Sequence, residues 1–240
     1  MKNYLSERLA QIKPSPTIAI SDKARELRAA GEDVISLSQG EPDFETPEHI
    51  KVAAIRAMQD GHTRYTAVDG IPELKQAIRD KFKLDNGLSY EHSQISVSTG
   101  GKQVLYNAFM ATLNAGDEVI IPAPYWVSYP DMVVLAEGSP VIAACLAQND
   151  FKLTAEELEA AITPATRWLI LNSPSNPTGS VYNQHELKAL AEVLLRHPQI
   201  LVMSDDIYEH LIYGKAEFST LAQVEPKLFS RTLTCNGMSK

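Results

Sequence analysis

The chain has 240 residues, of which 44% are hydrophobic and 22% are charged, and its formal net charge is −8 at pH 7. This length can bury a sizeable core, and the composition is ordinary for a soluble globular protein. The acidic balance argues against a nucleic-acid binder, because such a protein needs a basic face to neutralise phosphates.

Cysteine usage and hydropathy exclude further classes of protein. The two cysteines, Cys145 and Cys235, are too few for a disulfide framework or a metal cluster. No apolar stretch approaches the length that spans a bilayer, and residues 1–17 lack the apolar core of a secretory signal. We therefore expect a cytoplasmic protein with no metal site and no membrane segment.

The first 45 residues are predicted to form an N-terminal arm and part of a small domain. Residues 21–30 suit a helix, which Gly31 closes after its last turn. The apolar run at 34–38 indicates a short strand, and it leads into a turn-rich loop at 39–43.

From residue 46 to residue 240 a large domain is predicted, in which helices and strands alternate. Helices are expected at 47–60, 71–86, 101–113, 127–137, 154–162 and 184–197. Strands are expected at 95–98, 117–122, 140–146, 166–171, 199–204 and 230–235. Such alternation predicts an α/β fold with a mostly parallel sheet and helices on both faces.

The loops that follow the strands are the candidate site, because ligands of open α/β sheets bind outside the carboxyl ends of the strands. After the strand at 95–98, Gly100 and Gly101 let the backbone approach a ligand closely. They also open a helix whose free N–H groups suit an anion. A bare turn between strand and helix is the alternative, and the residues alone leave it open.

Three further loops supply aromatic, amide and carboxylate side chains. Two prolines in the segment 122–126 fix Trp126, which either fills the core or stacks on a flat cofactor. Asn176 lies between two prolines, so its amide is either rigidly aimed at a ligand or part of a plain loop. Asp205 ends a buried strand and needs a partner. That partner is either a protonated pyridine nitrogen or the turn that follows.

The last residue, Lys240, follows Gly237-Met238-Ser239 at the end of an apolar run. Many enzymes that use pyridoxal 5′-phosphate (PLP) present their Schiff-base lysine in this way. Together these segments resemble fold-type I PLP enzymes, and more narrowly the class I aminotransferases of the bacterial aspartate aminotransferase subgroup. The matching segments occur in the family's order over nearly the whole chain, at 38–43, 64–66, 100–103, 124–130, 173–179, 204–210 and 236–240.

The resemblance implies a role for each matching residue around the cofactor ring. Lys240 would hold PLP and then move the proton between the substrate Cα and the cofactor C4′. Asp205 would pair with the pyridine N–H, so that the ring acts as an electron sink. Tyr208 and Asn176 would hydrogen-bond the phenolic oxygen, and Trp126 would stack on the ring.

The resemblance also implies a phosphate site that two subunits share. The amides of Gly100, Gly101 and Lys102 would bind the phosphate within one subunit. Tyr65 would reach the phosphate bound in the neighbouring subunit, which makes the expected protein a homodimer with shared active sites.

Substrate recognition follows from the same resemblance. Gly40, Trp126 and Asn176 would line the substrate site, and Lys102 with Thr17 would bind the distal carboxylate of a dicarboxylic substrate. The expected reaction converts L-aspartate and 2-oxoglutarate into oxaloacetate and L-glutamate.

Other functions remain open at this point. A prephenate aminotransferase, an aromatic aminotransferase or a C–S lyase would use the same fold and cofactor. A non-catalytic truncated scaffold is an alternative of another class. A nucleotide-binding protein is disfavoured, because the chain has neither a Gly-x-Gly-x-x-Gly nor a Walker-type motif.

Two departures from the family pattern are visible. Asp206 stands where family members usually carry Glu, and we expect little consequence from this shorter carboxylate. The family also continues past its lysine, with arginines that bind the cofactor phosphate and the substrate α-carboxylate. We therefore expect the natural chain to be longer than 240 residues, and these residues alone to be inactive or nearly so.

Overall fold

The computed structural model describes residues 4–40 and 42–240. Residues 1–3, which begin the predicted arm, and Glu41, which belongs to the predicted turn at 39–43, lie outside the described residues. The chain divides into two units. The sheet unit comprises Met1–Gln39, Thr99–Met238 and Lys240, and the helical unit comprises Gly40–Ser98 and Ser239. The predicted domain boundary at residue 45 stays a prediction.

Eight α-helices occur in the described residues. They are α1 (Pro16–Ala29), α2 (Glu48–Gln59), α3 (Pro72–Asn86), α4 (Gly101–Thr112), α5 (Ser128–Leu135), α6 (Ala155–Ala161), α7 (Gln184–Arg196) and α8 (Leu221–Val224). Short 3₁₀ helices lie at Glu7–Gln11, His92–Gln94, Ala147–Asn149 and Pro226–Arg231. Within the described part of the chain, no helix combines the length and the apolar character that crossing a membrane requires.

The five strands form one parallel sheet. They are β1 (Glu118–Ala123), β2 (Ser139–Ala144), β3 (Thr166–Asn172), β4 (Leu201–Asp205) and β5 (Thr232–Cys235). Their order across the sheet is β2-β1-β3-β4-β5, so the chain winds one way from β1 to β2 and the other way from β3 to β5. The winding reverses between β1 and β3, and the crevice at such a reversal is where α/β sheets bind ligands.

Alternating side chains along the strands build a core on each face of the sheet. In β1, Ile120 packs into the core that α6, α7 and α8 cover. Its neighbours Val119 and Ile121 pack into the core under α4 and α5. In β3, Leu169 packs into the first of these cores and Ile170 into the second. Each such side chain contributes about 1.5–3 kcal/mol by burial, and the two cores confirm the predicted α/β fold with helices on both faces.

Local capping signals set several helix boundaries where the sequence predicts them. Thr154 accepts a hydrogen bond from the N–H of Glu157, whose carboxylate accepts the N–H of Thr154 in return, and this capping box opens α6. Gly31 follows the C-cap of α1 with φ of +90°, a conformation that glycine adopts without strain. Cys145 is buried in the core.

The strands predicted at 34–38 and 95–98 are wrong. Both segments lie outside regular secondary structure. The N–H of Val97 donates to the carbonyl of Asp69 at 3.0 Å, which is a single contact and not a ladder. A strand exists only where a neighbouring chain pairs with it, and an apolar run in the sequence does not reveal whether that neighbour is present.

Candidate active site

The candidate site lies in the sheet unit, at the carboxyl ends of the strands. A cleft opens there between the loops that follow β1 and β3. Its walls include Pro124 and Tyr125 of the first loop with Tyr129 of α5, and Asn172 at the end of β3 with Asn176 of the second loop. The cleft therefore coincides with the point where the direction of winding reverses.

Asp205, the last residue of β4, brings a carboxylate into this region. Its side chain is only 7% exposed. Oxygen Oδ2 accepts a hydrogen bond from the hydroxyl of Tyr129 at 2.5 Å, and the N–H of Ile207 also hydrogen-bonds the carboxylate. The predicted turn partner is therefore present, and a second, aromatic partner accompanies it.

Burial and hydrogen bonding act on Asp205 in opposite directions. Burial raises the pKa of the Asp205 carboxyl, and this effect outweighs the hydrogen bonds from Tyr129 and Ile207, which lower it. Burial and the Asp205 charge also raise the pKa of the Tyr129 hydroxyl well above its ordinary value. The carboxylate would therefore gain from a cation placed against it.

Tyr208 and Asn176 lie within range of one another. Burial raises the pKa of the Tyr208 hydroxyl, and the Asn176 side chain partly opposes this by lowering it. Nζ of Lys240 lies 5.9 Å from the centre of the Tyr208 ring. The structure thus brings an amide, a phenol and an amine together beside the end of β4.

Lys102 of α4 contacts Trp126 of the loop that follows β1. Nζ of Lys102 is 5.0 Å from the centre of the Trp126 ring, within the range of a cation–π contact. The Trp126 ring stands edge-on to the ring of Tyr129, with centroids 5.4 Å apart. Trp126 is half-buried and packs against the core under α4 and α5, so it is anchored in the core while a cation approaches its ring.

The start of α4 offers backbone groups and open space. Gly100 caps the helix with φ of +88°, and no side chain caps the helix. A Cβ atom added at Gly101 would meet no atom within 4 Å. The fold therefore leaves room beside the N–H groups of this helix start, which is the arrangement that an anion needs.

Asp206 and Glu209 form a second buried acidic pair next to Asp205. Ser204 donates to Oδ1 of Asp206 at 2.8 Å, and Asn236 donates to Glu209 at 2.5 Å. Within the described residues, Oδ2 of Asp206 has no hydrogen-bond partner. Burial raises the pKa of Asp206 to about 7, so this carboxyl is only partly ionised at neutral pH.

No described contact brings Thr17, Gly40 or Tyr65 to the other predicted site residues. Thr17 is half-buried near the start of α1, and its carbonyl accepts a hydrogen bond from Ser21. Gly40 and the fully exposed Tyr65 belong to the helical unit. Their roles stay predictions.

Two residues of the site, Tyr129 and Asn172, were given no role by the sequence analysis. Tyr129 follows Trp126 by three residues, about one helical turn, so a shared face was the signal for it. Asn172 stands four positions before Asn176. Its pairing with Asp205 in the neighbouring strand cannot be read from the sequence.

Comparison with known proteins places these features in a family. The sequence profile described as "Aminotransferase class I and II" matches residues 32–240. The aspartate/prephenate aminotransferase of Cereibacter sphaeroides is 65% identical over 237 residues, which cover 99% of this chain and 59% of that protein.

Two solved structures are similar along the described fold. The aspartate aminotransferase of Rhizobium meliloti has a TM-score of 0.95 at 54% identity, covering 99% of this chain and 60% of its own. That of Thermus thermophilus, solved with maleate, has a TM-score of 0.94 at 47% identity, covering 99% and 61%. The chain thus spans about 60% of the length of these relatives.

Proposed function

The chain belongs to the family of class I and II aminotransferases, and on that premise we propose that the protein uses PLP to convert L-aspartate and 2-oxoglutarate into oxaloacetate and L-glutamate. The observation that carries the proposal is the convergence of Asp205, Tyr208, Asn176 and Lys240 at the carboxyl edge of one parallel sheet. The names of relatives that are 55–65% identical to this chain over the aligned residues support it.

The residues present suit PLP. Asp205 is a buried carboxylate whose pKa burial raises, and a protonated pyridine nitrogen is the kind of cation that it lacks. The space at Gly101 suits a phosphate group at the start of α4. Asn176 and Tyr208 would hydrogen-bond the phenolic oxygen, Trp126 would stack on the ring, and Lys240 would hold the cofactor covalently.

The chemistry divides between cofactor and protein. PLP, when bound, supplies the electron sink that makes removal of the proton from the substrate Cα feasible. The Nζ atom of Lys240 accepts and returns that proton as a general base and acid. Asp205 would stabilise positive charge on the ring nitrogen, and Asn176 and Tyr208 would donate hydrogen bonds to the ring oxygen.

The cation of Lys102 suits the distal carboxylate of a dicarboxylic substrate. The Lys102 ammonium group lies against the ring of Trp126, which belongs to the loop after β1. A cation facing a distal carboxylate is an effective means of selecting a substrate. The Thermus thermophilus relative was solved with maleate, a dicarboxylate, which supports the same choice. Thr17 and Gly40 would complete the substrate site.

Prephenate is the second candidate substrate. Relatives at 57–65% identity carry names that include prephenate aminotransferase. Prephenate also carries two carboxylates, so the same cation would serve it. An aromatic aminotransferase and a C–S lyase have no comparable support among these relatives.

The assembly and location belong to the same proposal. We propose a cytoplasmic homodimer in which Tyr65 reaches the phosphate bound in the neighbouring subunit. Residues 46–240 would belong to the large cofactor-binding domain and residues 1–45 to the arm and small domain.

Borohydride reduction of the full-length protein tests the proposal. We expect the intact mass to increase by one reduced pyridoxyl group, and peptide mapping to find that group on Lys240. Lys240→Ala should take up no such group. Rates measured with 2-oxoglutarate and with prephenate as amino acceptors from L-aspartate then separate the two candidate substrates. A protein that gains no mass after incubation with PLP would exclude the proposed function.

A further inference from the structure

The side chain of Asn172 joins two residues of the candidate site. Its Nδ2 donates to the backbone carbonyl of Asp205 at 2.8 Å. Its Oδ1 accepts the backbone N–H of Asn176, also at 2.8 Å. Asn172 ends β3 directly beside Asp205, which ends β4 in parallel register. One amide therefore connects a strand end to the loop that carries Asn176.

These contacts also relate Asn172 to Tyr208. Asp205 is followed three positions later by Tyr208, and the Asn176 side chain lowers the pKa of the Tyr208 hydroxyl against the larger effect of burial. Asn172 therefore holds, through its two hydrogen bonds, the backbone of both residues that act at this end of β4.

Other hydrogen bonds shape the loop without attaching it to β4. The N–H of Ser175 donates to the carbonyl of Ser180 at 3.0 Å, and the N–H of Gly179 donates to the carbonyl of Ser175 at 2.8 Å. The N–H of Tyr182 donates to Oγ of Ser173 at 3.1 Å. These bonds close the loop upon itself, whereas the Asn172 side chain joins the N–H of Asn176 directly to the carbonyl of Asp205.

A side-chain amide has the groups that both contacts need. An amide offers donors on nitrogen and an acceptor on oxygen, separated by one carbon atom. A carboxylate offers acceptors alone, so it would repel the Asp205 carbonyl while still accepting from Asn176. An alanine offers neither group. The choice of residue is therefore chemically specific.

We propose that Asn172 is a positioning residue, which sets the separation between Asp205 and the Asn176–Tyr208 pair so that both match one PLP ring. The inference rests on the proposed function, in which Asp205 binds the ring nitrogen and the pair binds the ring oxygen. Because those two atoms have a fixed separation in a planar ring, their partners need a fixed separation too. Small displacements of binding groups are costly in such sites.

The test compares PLP binding by the full-length wild-type protein with that of Asn172→Ala and Asn172→Asp. Titration of each apoprotein with PLP gives the dissociation constant, and the absorption of bound cofactor is followed against pH. Asn183→Ala is the matched control, because Asn183 uses the same kind of amide to cap α7 away from these contacts. Hydrogen exchange at the Asn176 N–H reports the lost acceptor directly.

We expect Asn172→Ala to raise the PLP dissociation constant about 10-fold or more, as removal of supporting hydrogen bonds around a bound group commonly does. The pH midpoint of the absorption change should shift, and the Asn176 N–H should exchange faster. Asn172→Asp should weaken binding while the Asn176 N–H keeps its acceptor and its protection. Asn183→Ala should lower the melting temperature and leave cofactor binding unchanged.

Two outcomes separate failure of this inference from failure of the proposed function. If both Asn172 variants bind PLP like the wild type, with an unshifted absorption midpoint and only a lower melting temperature, Asn172 is merely structural and the inference fails. If the wild-type protein itself binds no PLP, the proposed function fails and the inference falls with it. Asn172→Asp keeps the test decisive should the alanine variant fail to fold.

Discussion

At the scale of single residues, the balance between burial and hydrogen bonding at the Asp205 carboxylate decides what the site can bind. Burial raises the pKa of this carboxyl, and the hydrogen bond from Tyr129 only partly opposes it. The ionised form that a protonated ring requires is therefore held in place by few groups. Tyr129 is the side chain among them, and its own raised pKa keeps it a donor at neutral pH.

Tyr129→Phe should weaken PLP binding by about 10- to 100-fold, because a hydrogen bond to a charged group contributes about 1.5–3 kcal/mol. Removing the donor raises the pKa of Asp205 further. Affinity that needs ionised Asp205 is lost as the pH falls through that pKa, so the loss should begin at a higher pH in the variant. The measurement is the PLP dissociation constant of wild type and variant across a pH series.

Tyr182→Phe is the control for this prediction. Tyr182 is also a buried tyrosine, but its hydroxyl accepts the N–H of Leu153 at 2.7 Å instead of touching Asp205. This variant should lose stability and keep the pH profile of the wild type. Identical profiles for Tyr129→Phe and the wild type would show that Tyr129 does not support the ionised carboxylate.

At the scale of elements, Gly101 at the start of α4 is a glycine that neither packing nor backbone conformation requires. Gly100 needs its freedom, since its φ of +88° strains any other residue. Gly101 is different, because it is helical and a Cβ there meets nothing within 4 Å. Space that neither packing nor backbone conformation explains, beside free N–H groups, indicates room for a ligand.

Gly101→Ala should leave the melting temperature unchanged or raise it slightly, because alanine favours a helix by about 0.5–1 kcal/mol over glycine. The same methyl group should block the approach of the cofactor phosphate and raise the PLP dissociation constant about 10-fold. Titration with pyridoxal, which lacks the phosphate, provides the control and should show equal affinity in both proteins. Equal weakening for pyridoxal and PLP would contradict a phosphate site here.

At the scale of the whole molecule, the sequence predicts the alternating helices and strands. It does not predict strand pairing, which depends on residues that are distant in the chain. The five strands of the sheet and the helices between them follow from alternation and capping, as at Thr154. The segments 34–38 and 95–98 have the same apolar pattern but no ladder, since pairing is a property of the neighbour.

The residues of the candidate site also fall into those that a local motif marks and those that a long-range contact defines. Asp205, Asn176, Tyr208 and Lys240 could be chosen as candidates from the sequence, because family motifs label each one locally. Asn172 could not, because its importance arises from its register beside Asp205 across two strands. A hydrogen bond between residues 33 positions apart leaves no periodic mark in a single sequence.

Because all strands of the parallel sheet point the same way, we expect one ligand to contact several loops at the carboxyl edge of the sheet. Loops that follow strands, at 123–129, 172–180 and 205–209, then lie at the carboxyl edge. The segment 99–103 joins them through the contact of Lys102 with Trp126, while the loops at 162–165 and 197–200 precede β3 and β4 at the opposite edge. A ligand that binds the native state lowers the frequency with which its contact regions open. Hydrogen exchange followed by mass spectrometry should therefore show slower exchange with PLP in all four carboxyl-edge loops and unchanged exchange in the other two. Protection confined to a single loop, or equal protection at both edges, would contradict a site assembled from the strand ends.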